Sequence, residues 1–598
     1  MLLEGINKPE DVKKLNKEEL IKLAEEIREV IIKKVNKTGG HMGPNLGIVE
    51  ATIAMHYVFN SPKDKIVFDV SHQCYPHKIL TGRKEGFMNP EKYNEYSGYT
   101  DPEESPHDIF KVGHTSTSVS LATGLAKARD LLNQEYNVIA LIGDGSLSGG
   151  EAFEGLNNAS VLNSNIIIVV NDNDMSIAQN QGGLYNNLRL LRESKGKSEC
   201  NFFKSLDFDY YYVEEGNNIE KLIDTFKKVK DKNHPVVVHI KTEKGLGLEI
   251  AQKNKEAFHW ILPGTLDKKE EKKGEVIPIE TYEGITTDYI LDIASKDKRV
   301  IAVSPATPGA YGFTEGFRKK LANQYTDVGI AEEHAIAYCS ALAKNGAKPI
   351  LAILSSFIQR TYDQLSQDLC LNNSPVTILV FWGGISNGDA THLGSFDIPL
   401  ISNIPNIVYL SPTNKQEYLS MLKWSIEENK SYPVVIRVPL GPVEYSSSSD
   451  VIISDYSRLN KFKIESKGEK VAILGLGNFF NLAKELKIKI KKYFSFESTL
   501  INPIYMTGLD KDLLEDLKKD HSLVITLEDG ILDGGFGEKI ARYYGNSDMK
   551  VLNYGGYKEF TDRVPLDQLY ERYHLRSDLI LNDIKCHIEK IEEKESCL

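Results

Sequence analysis

The sequence predicts an α/β protein with three domains in series, each a mostly parallel sheet flanked by helices. Three observations predict it. Short, β-branched runs closed by turn residues alternate with helix-length segments along the chain. The alternation restarts twice, after a Lys/Glu-rich stretch at 262–280 and after the serine run that begins at Ser446. Both breaks have the composition of exposed linkers. Length alone, at roughly 150 residues per domain, gives about four domains for 598 residues. The strand pattern gives three, at 1–265, 280–445 and 456–598.

The first domain opens with a loop and a charged amphipathic helix, within "MLLEGINKPEDVKKLNKEELIKLAEEIREVIIKK". Its strand candidates are 138–142, 166–170 and 236–240. These runs lack polar alternation, the mark of parallel strands covered on both faces. The second domain places strands at "RVIAVSP", "KPILAIL", "VTILVFW" and "PVVIRVPLG", and the third at "KVAILGLG", "SLVITLEDG" and "KVLNYGG". "GLGNFF", from Gly475, follows a strand as a dinucleotide fingerprint does. Phe480 stands where the third glycine belongs, so the segment reads as a tight strand-to-helix turn.

Hydrophobic content of 41% and charged content of 26% are ordinary for a globular protein with a large core. A net charge of −12 argues against nucleic-acid binding through phosphate contacts. The six cysteines (Cys74, Cys200, Cys339, Cys370, Cys586 and Cys597) form no CxxC pair. That suits a reducing, cytoplasmic setting and argues against structural zinc or a disulfide framework. No segment reaches the ~20 apolar residues of a membrane span, and the first residues lack a signal-peptide core.

The strongest chemical signal lies in "VIALIGDGSLSGGEAFEGLNNAS" and "NIIIVVNDNDMSI". One predicted strand ends at Gly143-Asp144-Gly145, the next at Asn171-Asp172-Asn173. Ligands of such sheets sit beyond the carboxyl ends of strands. Asp144 and Asn173 are therefore expected at one rim, each offering a hard oxygen. A carboxylate, an amide oxygen and backbone carbonyls suit Mg2+, which completes its octahedron with phosphate oxygens and water. Glycines beside Asp144 let backbone approach a phosphate. One such junction would read as capping Asp and Asn; two, about thirty residues apart, favour a metal–diphosphate site.

His41, His72 and His114 each follow Gly or Ser and precede a helical pattern. A lone histidine is more often structural; three in this setting favour a polar pocket for proton transfer or oxyanion binding. Lys244 follows a strand end and is read equally as a diphosphate contact or a solvated side chain. Glu332 falls in a first helical turn, where the helix dipole alone favours a glutamate, as it does Glu333. Phe357 and Arg360 begin a helix after a strand, Phe357 being core by default or the wall of a flat ring. The Gly-rich loop "FWGGISNGDATHLGSFD" carries Asp389 and His392 as a substrate-facing element. Arg437 reads as an anion site or, equally, as a surface ion pair.

These segments resemble the 1-deoxy-D-xylulose-5-phosphate synthase family, a thiamine-diphosphate branch of the transketolase superfamily. "SHQCYPHKILTGR", "GHTSTSVSLATGLAKARD", "GDG" through "NDNDMSI", "GIAEEHA", "SFIQRTYDQ" and "THLGSFD" carry the resemblance over essentially the whole chain. It implies thiamine-diphosphate-binding folds plus a transketolase C-terminal-like domain, a site between the first two domains, and a homodimer acting on small molecules. Asp144, Asn173 and the Met175 carbonyl would ligate Mg2+. His72, Gly113, His114, Gly145, Ser146 and Lys244 would contact the cofactor from the first domain. Glu332 would hydrogen-bond its pyrimidine and Phe357 would pack on that ring. His41, Arg360, Asp389, His392 and Arg437 would face substrate, with Glu332, His41, His72 and His392 catalytic.

The implied reaction joins pyruvate to D-glyceraldehyde 3-phosphate with loss of CO2, feeding isoprenoid, thiamine and pyridoxal synthesis. The chain also departs from the family. Phe381-Trp382-Gly383-Gly384 replaces a "DRAG"-like segment whose arginine helps hold the acceptor phosphate. Leu354 replaces a tyrosine, Pro44 a small polar residue, and the loop before His392 is one residue shorter. Losing one charge-assisted contact costs roughly 1.5–3 kcal/mol if nothing compensates. Two alternatives follow: a related carboligase with an unphosphorylated or less polar acceptor, and a catalytically silent homologue. The retained Asp144, Asn173 and Glu332 weigh against the second.

Overall fold

The computed structural model describes residues 1–267, 279–447 and 452–596. Most of the Lys/Glu-rich stretch and half of the serine run lie outside them, as does Cys597. The chain forms two compact units, Met1–Ile277 with Val328–Ala331, and Pro278–Asp327 with Glu332–Leu598.

The first unit holds a five-stranded, all-parallel sheet. Its strands are β1 (Lys65–Phe68), β2 (Val138–Gly143), β3 (Ile166–Asp172), β4 (Asp209–Val213) and β5 (Pro235–Lys241), in the order β1-β2-β3-β5-β4. Along β2, Ile139 and Leu141 enter one apolar core while Val138, Ala140 and Ile142 enter another. The period of two thus feeds two helical layers, which is why these strands read as unbroken apolar runs. The N-terminal segment is more ordered than the expected loop: a 3-10 turn at Leu2–Gly5 and one helical turn at Pro9–Val12 precede helix α1 (Lys17–Thr38). Asn16 and Glu19 close a capping box on α1, with side chain to backbone bonds of 3.0 and 2.8 Å. Helices α2 (Val49–Val58) and α3 (Ser118–Leu131) follow in this unit.

The second unit carries two sheets. One has β6 (Val300–Ser304), β7 (Tyr325–Asp327), β8 (Lys348–Leu354), β9 (Thr377–Phe381), β10 (Val408–Leu410) and β11 (Val434–Arg437), all parallel, in the order β10-β11-β9-β8-β6-β7. Helix α4 (Glu332–Lys344) follows β7. The other sheet has β12 (Lys463–Ser466), β13 (Lys470–Gly475), β14 (Thr499–Asn502), β15 (His521–Ile531) and β16 (Lys550–Gly556). Only its edge strand β12 is antiparallel. After β13, "GLGNFF" forms a 3-10 turn and enters a helix at Phe480. A β-carbon at Gly475 would stand 2.6 Å from that of Ala483, so this glycine serves helix packing. The segment after Phe357 is a broken helix, a 3-10 turn at Ile358–Thr361 running into a π turn at Leu365–Cys370. Among the described residues no helix is long and apolar enough to cross a membrane.

Candidate active site

The rim of the first sheet brings Asp144 and Asn173 together. Neighbouring β2 and β3 pair Gly143 with Asn171, so both residues leave the same edge. The Asp144 amide donates to the Asn171 carbonyl at 3.0 Å. Asp144 Oδ2 accepts from Asn180 Nδ2 at 2.8 Å and from the Met175 amide at 3.1 Å, which wraps the loop after β3 back onto the carboxylate. Burial, then the nearby Asp172 charge, push the Asp144 carboxyl up to about 8. Asp172 is itself gripped by Arg192 (2.8 Å to each oxygen) and His239 (2.8 Å).

A divalent cation fits these donors. Asn173 Oδ1 and Asn180 Oδ1 are buried with no hydrogen-bond partner. An acceptor left so costs about 1–3 kcal/mol unless a ligand satisfies it. Among the described residues no trio of His, Cys, Asp or Glu gathers around a metal. The Asp144 carboxylate and the Asn173 and Asn180 amide oxygens are hard oxygens of the kind that Mg2+ takes. Met175 lies in the same loop.

Gly145 lets Ser176 pack closely against the turn after Asp144. A β-carbon at Gly145 would meet Ser176 Oγ at 2.9 Å. Ser116 Oγ donates to the Ser146 carbonyl at 2.7 Å, and the Tyr185 hydroxyl reaches the Asp144 and Gly145 carbonyls at 3.1 Å each. Gly113 and His114 lie in the turn before α3, whose Ser116 and Ser118 amides donate to the buried Asp69 at 2.8 and 3.0 Å. Lys244 is buried rather than solvated. Its Nζ donates to the Ser176 carbonyl at 2.5 Å and lies 3.1 Å from His259 Nδ1, and burial pulls the ammonium down to about 8.

His41 and His72 pack with His259, with ring centroids 4.9, 5.5 and 5.3 Å apart. The fully buried Asn45 sets this cluster. Its Nδ2 donates to the His41 and His72 carbonyls at 2.8 Å each, and its Oδ1 accepts from the Tyr75 amide at 2.9 Å. Burial, then the Lys244 charge, hold His259 well below its ordinary value, so its imidazole is neutral. Sequence reasoning missed both Asn45 and His259. The only local hint was the polar Asn45 inside the apolar helix start "GPNLG".

In the second unit Glu332 opens α4, buried, with Oε2 3.6 Å from the Arg360 guanidinium, an ion-pair distance beyond hydrogen-bond reach. Burial raises its carboxyl to about 7 against the opposing pull of Arg360. Phe357 lies at the end of β8, its ring edge-on to His392 with centroids 5.7 Å apart. The His392 amide donates to the Asp389 carbonyl at 2.9 Å, and burial pushes the imidazole down to about 4. Arg437 departs from its expected place. It is buried between two carboxylates, with Nε and an Nη on Asp397 (2.7 and 2.9 Å) and the other Nη on Asp529. Those carboxylates consume the charge expected to meet a substrate anion and tie β11 to β15.

Three family models match in series. "1-Deoxy-D-xylulose-5-phosphate synthase" matches residues 3–201 and 192–242, "transketolase, pyrimidine binding domain" 281–443, and "transketolase, C-terminal domain" 460–580. The 1-deoxy-D-xylulose-5-phosphate synthase of Caldanaerobacter subterraneus subsp. tengcongensis is 37% identical over 98% of both chains. That of Clostridium acetobutylicum is 36% identical over 96% of this chain and 97% of its own. The chain belongs to the 1-deoxy-D-xylulose-5-phosphate synthase family. Among solved structures it is similar to a transketolase from Leishmania mexicana, 14% identical, with 94% of this chain and 96% of that one covered and a TM-score of 0.43. The synthase family uses thiamine diphosphate with Mg2+. Trp382 is 51% exposed with φ at 57°, and Leu354 is buried in the core of the second sheet.

Proposed function

We propose that this chain condenses pyruvate with D-glyceraldehyde 3-phosphate, releasing CO2 and forming 1-deoxy-D-xylulose 5-phosphate, as a cytoplasmic homodimer. The buried, mixed-oxygen rim at Asp144 and Asn173, in a chain related end to end to named synthases, carries this reading. Asp144, Asn173 and the Met175 carbonyl would hold Mg2+. Gly145 and Ser146 would present backbone to the diphosphate, with Gly113, His114 and the Lys244 ammonium beside it. Thiamine diphosphate supplies the electron sink for decarboxylation.

The remaining roles belong to the chain. Glu332, with its carboxyl raised to about 7, exchanges a proton readily at neutral pH and is suited to the pyrimidine nitrogen. Phe357 offers a flat wall. His41 and His72 would move protons at the substrate, and the neutral His392 would donate to a developing alkoxide. Arg360 and Asp389 would orient substrate. A different aldehyde is the second reading, favoured by Trp382, by Leu354 and by the commitment of Arg437 to Asp397 and Asp529. Mass spectrometry of products from pyruvate with a panel of aldehydes tests both. Preference for D-glyceraldehyde 3-phosphate supports the first reading; a clear preference for glyceraldehyde overturns it in favour of the second.

A further inference from the structure

The loop that carries Asp389 and His392 is held from the C-terminal sheet. Its base closes at Gly384 and Gly394, where the Gly384 amide donates to the Gly394 carbonyl at 3.0 Å and Ser355 Oγ donates to the same oxygen at 2.8 Å. Just beyond the base, Ile385 is buried in the apolar core of the third sheet with Leu527 and Tyr554. At the tip, the turn after β16 supplies two bonds. The Arg563 amide donates to the Gly388 carbonyl at 2.9 Å, and the Asp562 carboxylate accepts from the Ala390 amide at 3.0 Å. The Arg563 guanidinium faces Asp389 at 3.8 Å. Arg563 holds φ at 53°, a left-handed conformation that a side chain adopts at a cost and that persists only where its surroundings enforce it. From the tip the loop leads directly to His392, whose ring meets Phe357.

We propose that the Asp562–Arg563 turn of the C-terminal domain positions the aldehyde-recognition loop, fixing Asp389 beside Arg563 and His392 against Phe357. This rests on the condensation proposed above. Asp562 and Arg563 are positioning residues in it: they act through the loop and need not touch substrate. The clasp also explains why a loop in the second sheet's domain buries Ile385 in the core of the third.

The test compares wild type with Asp562→Ala and Asp562→Asn, whose amide oxygen still accepts from Ala390. Steady-state constants for aldehyde and for pyruvate are measured separately, with hydrogen exchange of the peptide spanning 384–394. Losing the hydrogen bond from the Ala390 amide predicts an Asp562→Ala aldehyde KM raised about tenfold. The pyruvate KM and the affinity for thiamine diphosphate stay within about twofold. The loop exchanges faster, and Asp562→Asn recovers most of the loss. Unchanged aldehyde KM, an equal loss for both substrates, unchanged exchange, or no recovery by asparagine overturns the proposal. Should Asp562→Ala fail to fold, Arg563→Gly removes the group facing Asp389 while glycine accepts the φ. The aldehyde KM must rise there too, and an unchanged value overturns the clasp. If wild type forms no condensation product from pyruvate and aldehyde, the condensation reading falls by itself. Exchange then decides the clasp, which accelerated exchange supports and unchanged exchange refutes.

Discussion

Replacing Glu332 with glutamine keeps the shape of the side chain and removes its charge. The carboxylate is buried at the start of α4, and Oε2 stands 3.6 Å from the Arg360 guanidinium. Burial lifts it from 4.5 to about 7, a rise worth roughly 3 kcal/mol. An acid raised on folding binds more protons folded than unfolded between those two values. Stability without cofactor therefore falls as pH climbs from 4.5 to about 7 and stays reduced above. Glutamine mimics the protonated form. Glu332→Gln should match wild type closely near pH 5 and exceed it by up to about 3 kcal/mol near pH 8.5. For a unit this large that is a Tm gain of about 5 °C, read by scanning calorimetry of the cofactor-free protein at the two pH values. The same variant should lose at least about a hundredfold in turnover, as expected when a proton carrier is removed. A Tm difference that does not change between pH 5 and 8.5, or a variant less stable at the higher pH, refutes the buried-carboxylate reasoning. Wild-type turnover refutes its catalytic use.

Three further outcomes follow from the packing. Asn45→Ala leaves the His41 and His72 carbonyls without their shared donor. It should destabilise by about 2–4 kcal/mol in urea unfolding and lower turnover with pyruvate. Arg437→Met strands Asp397 and Asp529 in the interior and should cost about 3–5 kcal/mol by calorimetry; a loss under 1 kcal/mol would contradict the pairing described. Lys244→Ala should weaken thiamine diphosphate at least about tenfold in calorimetric titration, since a buried ammonium at the rim is lost; unchanged affinity would place the lysine outside the site.

The strands were legible because parallel strands covered on both faces are unbroken apolar runs, as 138–142 and 166–170 are. The rim was legible for the same reason: a strand's end is local information, and Asp144 and Asn173 each follow one directly. What escaped depends on contacts distant in sequence. Asn45 reaches a carbonyl 27 residues away at His72. His259 joins His41 and Lys244 only through the fold, and nothing around "AFHWIL" signals a pocket. Arg437 at the end of β11 looked available because Asp397 and Asp529, which consume it, come from other elements, the latter 92 residues on. Lys244 could be read two ways for want of burial, which periodicity does not report for a turn residue. The resemblance supplied roles, such as those of Glu332 and Phe357, that helix-start preferences and core packing would otherwise have explained.

Calorimetric titration of thiamine diphosphate in Mg2+, into wild type and into Asn173→Ala, tests the central claim most directly. The account predicts Mg2+-dependent binding by wild type and affinity reduced at least about tenfold in the variant, the loss that even an outer-shell partner's removal brings. Binding indifferent to Mg2+, or equal affinity in both proteins, would contradict it.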